Sequence, residues 1–201
     1  MSIELEIEQR SGIRIVRFTR PEIRNPLSIT VLEQIDAIVD GLSSDVATVI
    51  FTGAGDAFAS GADLREIAEV TSDTAKEFAL RGQRLMAKID ALPQMTIAGI
   101  NGYCFGGALD LALACDRRIA SVNATFAHPG AGLGIITGWG GTQRLPRLIG
   151  QANALEMFFA ATPIDARRAL SVGLIGEIAE APVERAVKFA AKMARFGNLT
   201  M

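Results

Sequence analysis

The sequence predicts an α/β fold with a largely parallel sheet. Apolar or alternating runs suited to strands give way repeatedly to segments with apolar residues at helical spacing. Glycine-rich turns stand between several of these strands and helices. Hydrophobic residues make up 49% of the 201, enough for a large core, and the length fits one domain over 1–201. That domain divides into a core over about 1–150 and a helical part over about 151–201.

Residues 3–8 and 13–19 alternate apolar and polar side chains around Ser11-Gly12, the pattern of a hairpin at a sheet edge. Residues 20–27, RPEIRNPL, carry two prolines and an asparagine and form a loop. Ser28 or Thr30 caps a helix over 31–42, in which Leu32, Ile35, Ile38, Val39 and Leu42 recur at helical spacing. A buried strand over 46–52 ends in the turn 53–56, and 57–61 are small and irregular. Asp63 opens a helical stretch, and an amphipathic helix over 74–92 stops at Pro93. The pattern then repeats as a strand over 95–100, a turn, a helix over 106–115 and a strand over 116–121. A helix follows 138–141 and runs to 148, and further helices cover 152–160, 166–171 and 183–194.

A net charge of −2 gives no footprint of a nucleic-acid partner. Cys104 and Cys115 lie in apolar sequence and read as free buried thiols in a reducing, cytoplasmic compartment. The charged, alternating start MSIELEIEQR is unlike a secretory signal. Residues 95–115 approach membrane-span length, but Asn101-Gly102 and Gly106-Gly107 break them into a strand and a helix. Asp110 would also fall well inside the apolar span, where a charge is costly, so no membrane partner is expected. One histidine and two separated cysteines supply no metal-ligand spacing.

Chemistry concentrates in two glycine-rich turns that follow strands, FASGADL (58–64) and NGYCFGGALD (101–110). Ligands of open parallel sheets gather at the carboxyl ends of strands, where such turns lie. A backbone N–H from each turn, at Ala62 and Gly107, could converge on one oxygen; close helix–strand packing also calls for small residues there. Asp110 lies three residues after Gly107, on the same helix face, so both could look into one space. Neither turn fits GxGxxG or a Walker loop.

Together, RPEIRNPLS, FTGAGDAFASGADL, NGYCFGGALDLALACD and GWGGTQRLPRLIG resemble the enoyl-CoA hydratase/isomerase (crotonase) family over nearly the whole chain. The resemblance implies a crotonase-type repeated ββα core and an acyl-CoA thioester as substrate, with no other cofactor. It implies an oxyanion hole from the Ala62 and Gly107 N–H groups, stabilising a thioester enolate. Substrate and CoA contacts are implied at Arg24, Leu27, Ser60, Ala62, Asp63, Leu64, Tyr103, Phe105, Gly106, Pro129 and Gly130. Asp63 also reads as a helix cap. A homo-oligomer, trimer or hexamer, is implied as well. Family members continue beyond the position of Arg195 with helices that close over the ligand or pack in a trimer; those terminal helices are expected to be missing from this sequence, which ends FGNLTM.

Two departures bear on chemistry. Hydratases of the family carry two glutamates; the first matches Asp110, one methylene shorter, and the second falls on Gly130. Proton transfer needs hydrogen-bond reach, so the pairing argues against ordinary water addition. Dienoyl-CoA isomerases place carboxylates matching Gly130 and Gly138, both absent here. Naphthoate synthases can hold bicarbonate where the side-chain carboxylate is missing, but their aspartate falls on Thr137. His128, two residues before Gly130, reads as structural or as a substitute acid or base. Trp139 and Tyr103 would shape the pocket. The expected activity is enolate chemistry of the hydratase/isomerase kind with Asp110 as acid/base; the rivals are an acyl-CoA-holding protein without turnover, and decarboxylation or thioester hydrolysis involving His128.

Overall fold

The computed structural model describes residues 4–197; Ile3 of the first predicted strand and residues 198–201 of the closing FGNLTM lie outside the described residues. The first two strands, β1 (Leu5–Arg10) and β2 (Ile13–Phe18), form the expected antiparallel hairpin in the register Leu5↔Phe18 to Arg10↔Ile13. Its two-residue turn, Ser11-Gly12, has both φ angles positive, the geometry that matches strand twist. The strands that follow are β3 (Thr48–Gly53), β4 (Ala57–Ala59), β5 (Met95–Ile100), β6 (Tyr103–Phe105), β7 (Arg117–Ala120), β8 (Thr125–Ala127), β9 (Ile164–Asp165) and β10 (Glu177–Ile178). The helices are α1 (Ile29–Asp40), α2 (Leu64–Ala68), α3 (Ala75–Asp90), α4 (Gly107–Ala114), α5 (Gly141–Ile149), α6 (Gln151–Ala160), α7 (Ala166–Ser171) and α8 (Pro182–Gly197).

A ββα unit repeats along the chain, and its two strands go to different sheets. The first strands, β3, β5 and β7, are parallel neighbours in a six-stranded sheet of order β1-β2-β3-β5-β7-β10. The second strands, β4, β6 and β8, are parallel neighbours in a four-stranded sheet of order β4-β6-β8-β9. Residues 57–61, expected from their composition to be irregular, thus contain β4; the second strand of each unit answers to the ββα repeat that the family resemblance implies, although the residue pattern alone did not place β4 or β6. Three residues are too few to display a two-residue alternation.

Side-chain parity explains why the large sheet is buried on both faces. Ile15, Ile50 and Ile97 lie in register across β2, β3 and β5 and face α8, which covers them with Ala186 and Ala190. Val16, Phe51 and Ala98, one residue on, face the main core with α1, α3 and α4. Local chemistry sets the helix ends. Ser28 accepts the Val31 N–H and caps α1, which begins two residues before the predicted start. Asp63 caps α2 by accepting the Arg65 N–H. At the far end of α4, the Arg118 guanidinium donates to the carbonyls of Ala112 and Cys115, satisfying groups a helix terminus leaves open. Cys104 and Cys115 are free and buried, and burial pushes both thiols up. Among the described residues no helix is long and apolar enough to cross a membrane, and residues 95–115 divide into β5, β6 and α4.

Candidate functional site

Three neighbouring parallel strands, β4, β6 and β8, end side by side. Their carboxyl ends carry Ser60–Gly61–Ala62, Gly106–Gly107 and His128–Pro129–Gly130, all of which line one cavity of about 380 Å³. Backbone bonds lock the ends together. The Gly106 N–H donates to Ala127 O at 2.9 Å, tying β6 to β8. The first turn is held from its other side by residues 24–27: Ser60 N–H donates to Arg24 O and Leu27 N–H donates to Gly61 O. Gly61 has a φ of +95°, and a Cβ there would lie 2.6 Å from Phe105 O and 3.0 Å from Gly107 N. The two glycine turns therefore touch, and only glycine permits the approach. Gly107 is the first residue of α4, so its N–H has no acceptor within the helix.

The far wall is a tryptophan wedged between glycines. A Cβ at Gly82 of α3 or at Gly107 would overlap the Trp139 ring, which is buried and lines the cavity. Apart from Thr137 the rest of the lining is apolar, with Leu64, Ile67, Val70, Phe78, Leu133 and Ile136 prominent, and among the described residues no Asp, Glu, Lys or Arg takes part. Leu64, Leu133 and Ile136 are exposed apolar residues at this lining.

Asp110 is fully buried but does not line the cavity. It shares a helix with Gly107, but Trp139 stands on Gly107 and Thr137 and Gly141 close over the carboxylate; the expectation that both look into one space is corrected accordingly. Thr137 Oγ1 donates to Asp110 Oδ2. Oδ1 makes no hydrogen bond among the described residues and lies 3.6 Å from His128 Nε2. A Cβ at Gly141 would overlap Oδ1, so the GWGG sequence lets α5 begin against this carboxylate. Burial pushes the Asp110 pKa up to about 6, while the Thr137 hydroxyl, the N–H groups of Trp139 and Gly141 and the charge of Arg144 pull it down.

His128 is 2% exposed, lines the cavity, and packs on Phe158 with ring centroids 5.1 Å apart. Neither ring nitrogen has a hydrogen-bond partner among the described residues, and desolvation lowers its pKa to about 4, leaving the imidazole neutral at pH 7. With the histidine neutral, the 3.6 Å approach to Asp110 is not an ion pair.

Of the residues singled out from sequence, Ser60, Ala62, Leu64, Gly106, Gly107, His128, Pro129, Gly130 and Trp139 meet at the cavity. The others lie elsewhere. Leu27 is buried and supports the first turn through its backbone. Asp63 caps α2 and pairs with Arg65 at 2.6 Å, which holds its carboxyl below the usual range. Tyr103 and Phe105 pack edge to face on β6, away from the cavity lining, because β6 side chains alternate about Cys104, which enters the core. Arg24 is exposed, with its guanidinium 4.4 Å above the Tyr103 ring. Gly130 does not leave an open socket: a Cβ there would lie 2.6 Å from Ile135 O, and Ile135 N–H donates back to Gly130 O. Sequence reasoning named Thr137 only as the place of an absent aspartate. Its signal was present, since it is the single polar side chain between Ala131 and Trp139.

Touching strand ends, free helix N-terminal N–H groups and an apolar cavity define a ligand-binding α/β protein with a polar point inside an apolar pocket. The chain belongs to the enoyl-CoA hydratase/isomerase family, whose sequence pattern matches residues 8–200. It is 37% identical over 177 residues to a short-chain-enoyl-CoA hydratase of Clostridium acetobutylicum, covering 87% of this chain and 68% of that protein. It is 34% identical over 202 residues to a 2,3-dehydroadipyl-CoA hydratase of Escherichia coli, covering 98% and 78%. The crystal structure of an enoyl-CoA hydratase from Bacillus anthracis superposes with a TM-score of 0.91 at 34% identity, covering 96% of this chain and 77% of that one.

Proposed function

We propose that this protein binds an acyl-CoA thioester with its carbonyl oxygen between the N–H groups of Ala62 and Gly107, and stabilises the enolate formed from it. The observation that carries this reading is the contact between two glycine turns at adjacent strand ends, at an apolar cavity that a buried imidazole lines and a buried acid stands behind. Two such donors act on charge that develops during reaction, each worth about 3 kcal/mol in comparable sites. The relatives' names support hydratase or isomerase chemistry. Proton movement falls to the Asp110–His128 pair, since position 130 offers no carboxylate.

Arg24, exposed at the strap over the first turn, is the cation offered to the CoA phosphates; among the described residues no carboxylate is paired with it. The acyl chain occupies the apolar part of the cavity. A charged chain end there would be desolvated without a partner, so the reading favours uncharged alkyl or alkenyl chains over dicarboxylic ones.

Hydration of crotonyl-CoA, followed by loss of absorbance of the conjugated thioester, tests the reading. Turnover that is abolished when Gly107 is replaced by valine, in protein that still folds, supports it. Tight binding of acyl-CoA without turnover across a thioester panel supports the holding role instead, and no binding sinks both. The closed-off position of Asp110 is what keeps the holding role in view.

A further inference from the structure

Two buried polar side chains at the cavity have unused hydrogen-bonding capacity, and they face each other. His128 has neither ring nitrogen satisfied, and Asp110 Oδ1 is also without a partner among the described residues. Buried polar groups are nearly always satisfied, so such a pair calls for an explanation. The two differ in access. His128 forms part of the cavity lining, whereas Asp110 stands behind it, held at Oδ2 by Thr137 and with Oδ1 3.6 Å from His128 Nε2. His128 and Thr137 line the cavity and Asp110 does not.

We infer that His128 is the catalytic residue that carries the proton to and from the bound acyl group, and that Asp110 is a positioning residue acting through it. The assignment rests on the enolate reading above. With the proton on Nε2, facing Asp110 Oδ1, the lone pair of Nδ1, buried and without a partner among the described residues in the ligand-free protein, is the acceptor once substrate and water enter. In water addition to an enoyl thioester, a proton of water passes to Nδ1 as the water oxygen bonds to Cβ. The C=C pair moves to form the enolate, whose oxygen is held by the Ala62 and Gly107 N–H groups. The imidazolium then returns its proton to Cα, the enolate pair makes the new C–H bond, and the thioester carbonyl reforms. One residue serves both transfers, and the net change is addition of one water.

The surroundings suit the task. Desolvation keeps His128 neutral and able to accept at pH 7, with its pKa lowered to about 4. The imidazolium formed in the reaction lies beside a carboxylate that already accepts from Thr137. The other titratable or charged groups acting on the pair are Arg144 on α5, whose charge reaches Asp110, and Cys104 on β6, kept a neutral thiol as burial pushes it up. Catalytic hydrogen bonds in ligand-free proteins are often long and tighten when substrate binds.

The test is solvent-deuterium exchange at Cα of butyryl-CoA, read by mass spectrometry, with crotonyl-CoA hydration measured in parallel on the full chain. His128→Gln should lower exchange by about 100-fold or more. His128→Ala should do the same and recover part of the rate with added imidazole. Asp110→Asn should lower kcat with little change in KM, and should remove from the kcat/KM profile the limb near pH 6 at which the Asp110 carboxylate takes up its proton. A merely structural Asp110 would leave that limb in place. Exchange at the wild-type rate in folded His128→Gln overturns the assignment, and so does a wild-type protein that binds butyryl-CoA but exchanges nothing. Should His128→Gln fail to fold, imidazole rescue of His128→Ala and the wild-type pH profile decide the matter, and absence of both overturns it. Failure of the wild type to bind butyryl-CoA at all instead removes the functional reading beneath it.

Discussion

The buried pair should make stability depend on pH in opposite directions, and removing one member exposes the other. Asp110 rises from 3.8 to about 6 on folding. The native state therefore holds more protons than the unfolded state between those values, and stability falls as pH rises through them. The cost reaches about 3 kcal/mol at pH 8. His128 falls from 6.5 to about 4. Its native state holds fewer protons between those values, so its contribution is intact above pH 6.5 and is lost on acidification, by about 3 kcal/mol at pH 4. In the wild type the two trends nearly cancel between pH 4 and 7. Urea unfolding at pH 8 and pH 4 should separate them. Asp110→Asn should be stabilised at pH 8 by about 2 kcal/mol, the charge cost less about 1 kcal/mol for the weakened Thr137 hydrogen bond. The same variant should lose stability steeply on acidification. His128→Gln should show the reverse, becoming more stable as the pH is lowered from 7 to 4. Parallel pH profiles for the two variants would refute the claim that both groups are buried and ionise against their surroundings.

Chain-end charge should decide among substrates: kcat/KM for crotonyl-CoA should exceed that for 2,3-dehydroadipyl-CoA by at least about 100-fold, since a buried unpaired carboxylate costs several kcal/mol. Equal rates would mean that the acyl end leaves the cavity. Gly141→Ala puts a methyl onto Asp110 Oδ1 and should cost about 2 kcal/mol of stability while slowing turnover, measured by thermal melting and the hydration assay. Arg24→Ala should raise KM for crotonyl-CoA about tenfold and leave that for crotonyl-pantetheine unchanged, the signature of a lost phosphate contact. A matching loss with both esters would assign Arg24 to the strap instead.

The long elements were legible because each repeats its signal. The Ile15–Ile50–Ile97 row comes from strands long enough to alternate, and α1 and α3 display several turns of apolar spacing. The four-stranded sheet was implied only by the family's ββα repeat and was not legible in the residue pattern, although it carries the site, because β4, β6 and β8 are three residues each and gain their pairing from neighbours distant in sequence. Glycine spacing located the turns, and it could not tell close packing from ligand contact. Gly107 illustrates both: its missing Cβ admits Trp139, and the residue lines the cavity. The same-face argument for Asp110 held for the helix and failed for the cavity, because residues 137–141 return over the carboxylate from 27 or more positions away. Gly130 looked like an empty socket in one dimension, and the Ile135 carbonyl fills it in three.

Enolate formation is the central claim, and exchange of the Cα hydrogens of butyryl-CoA in deuterium oxide measures it without requiring water to add. The account predicts that the protein accelerates exchange, that Gly107→Val removes the acceleration, and that His128→Gln removes it while butyryl-CoA still binds. Bound butyryl-CoA with Cα hydrogens exchanging no faster than in buffer would contradict it.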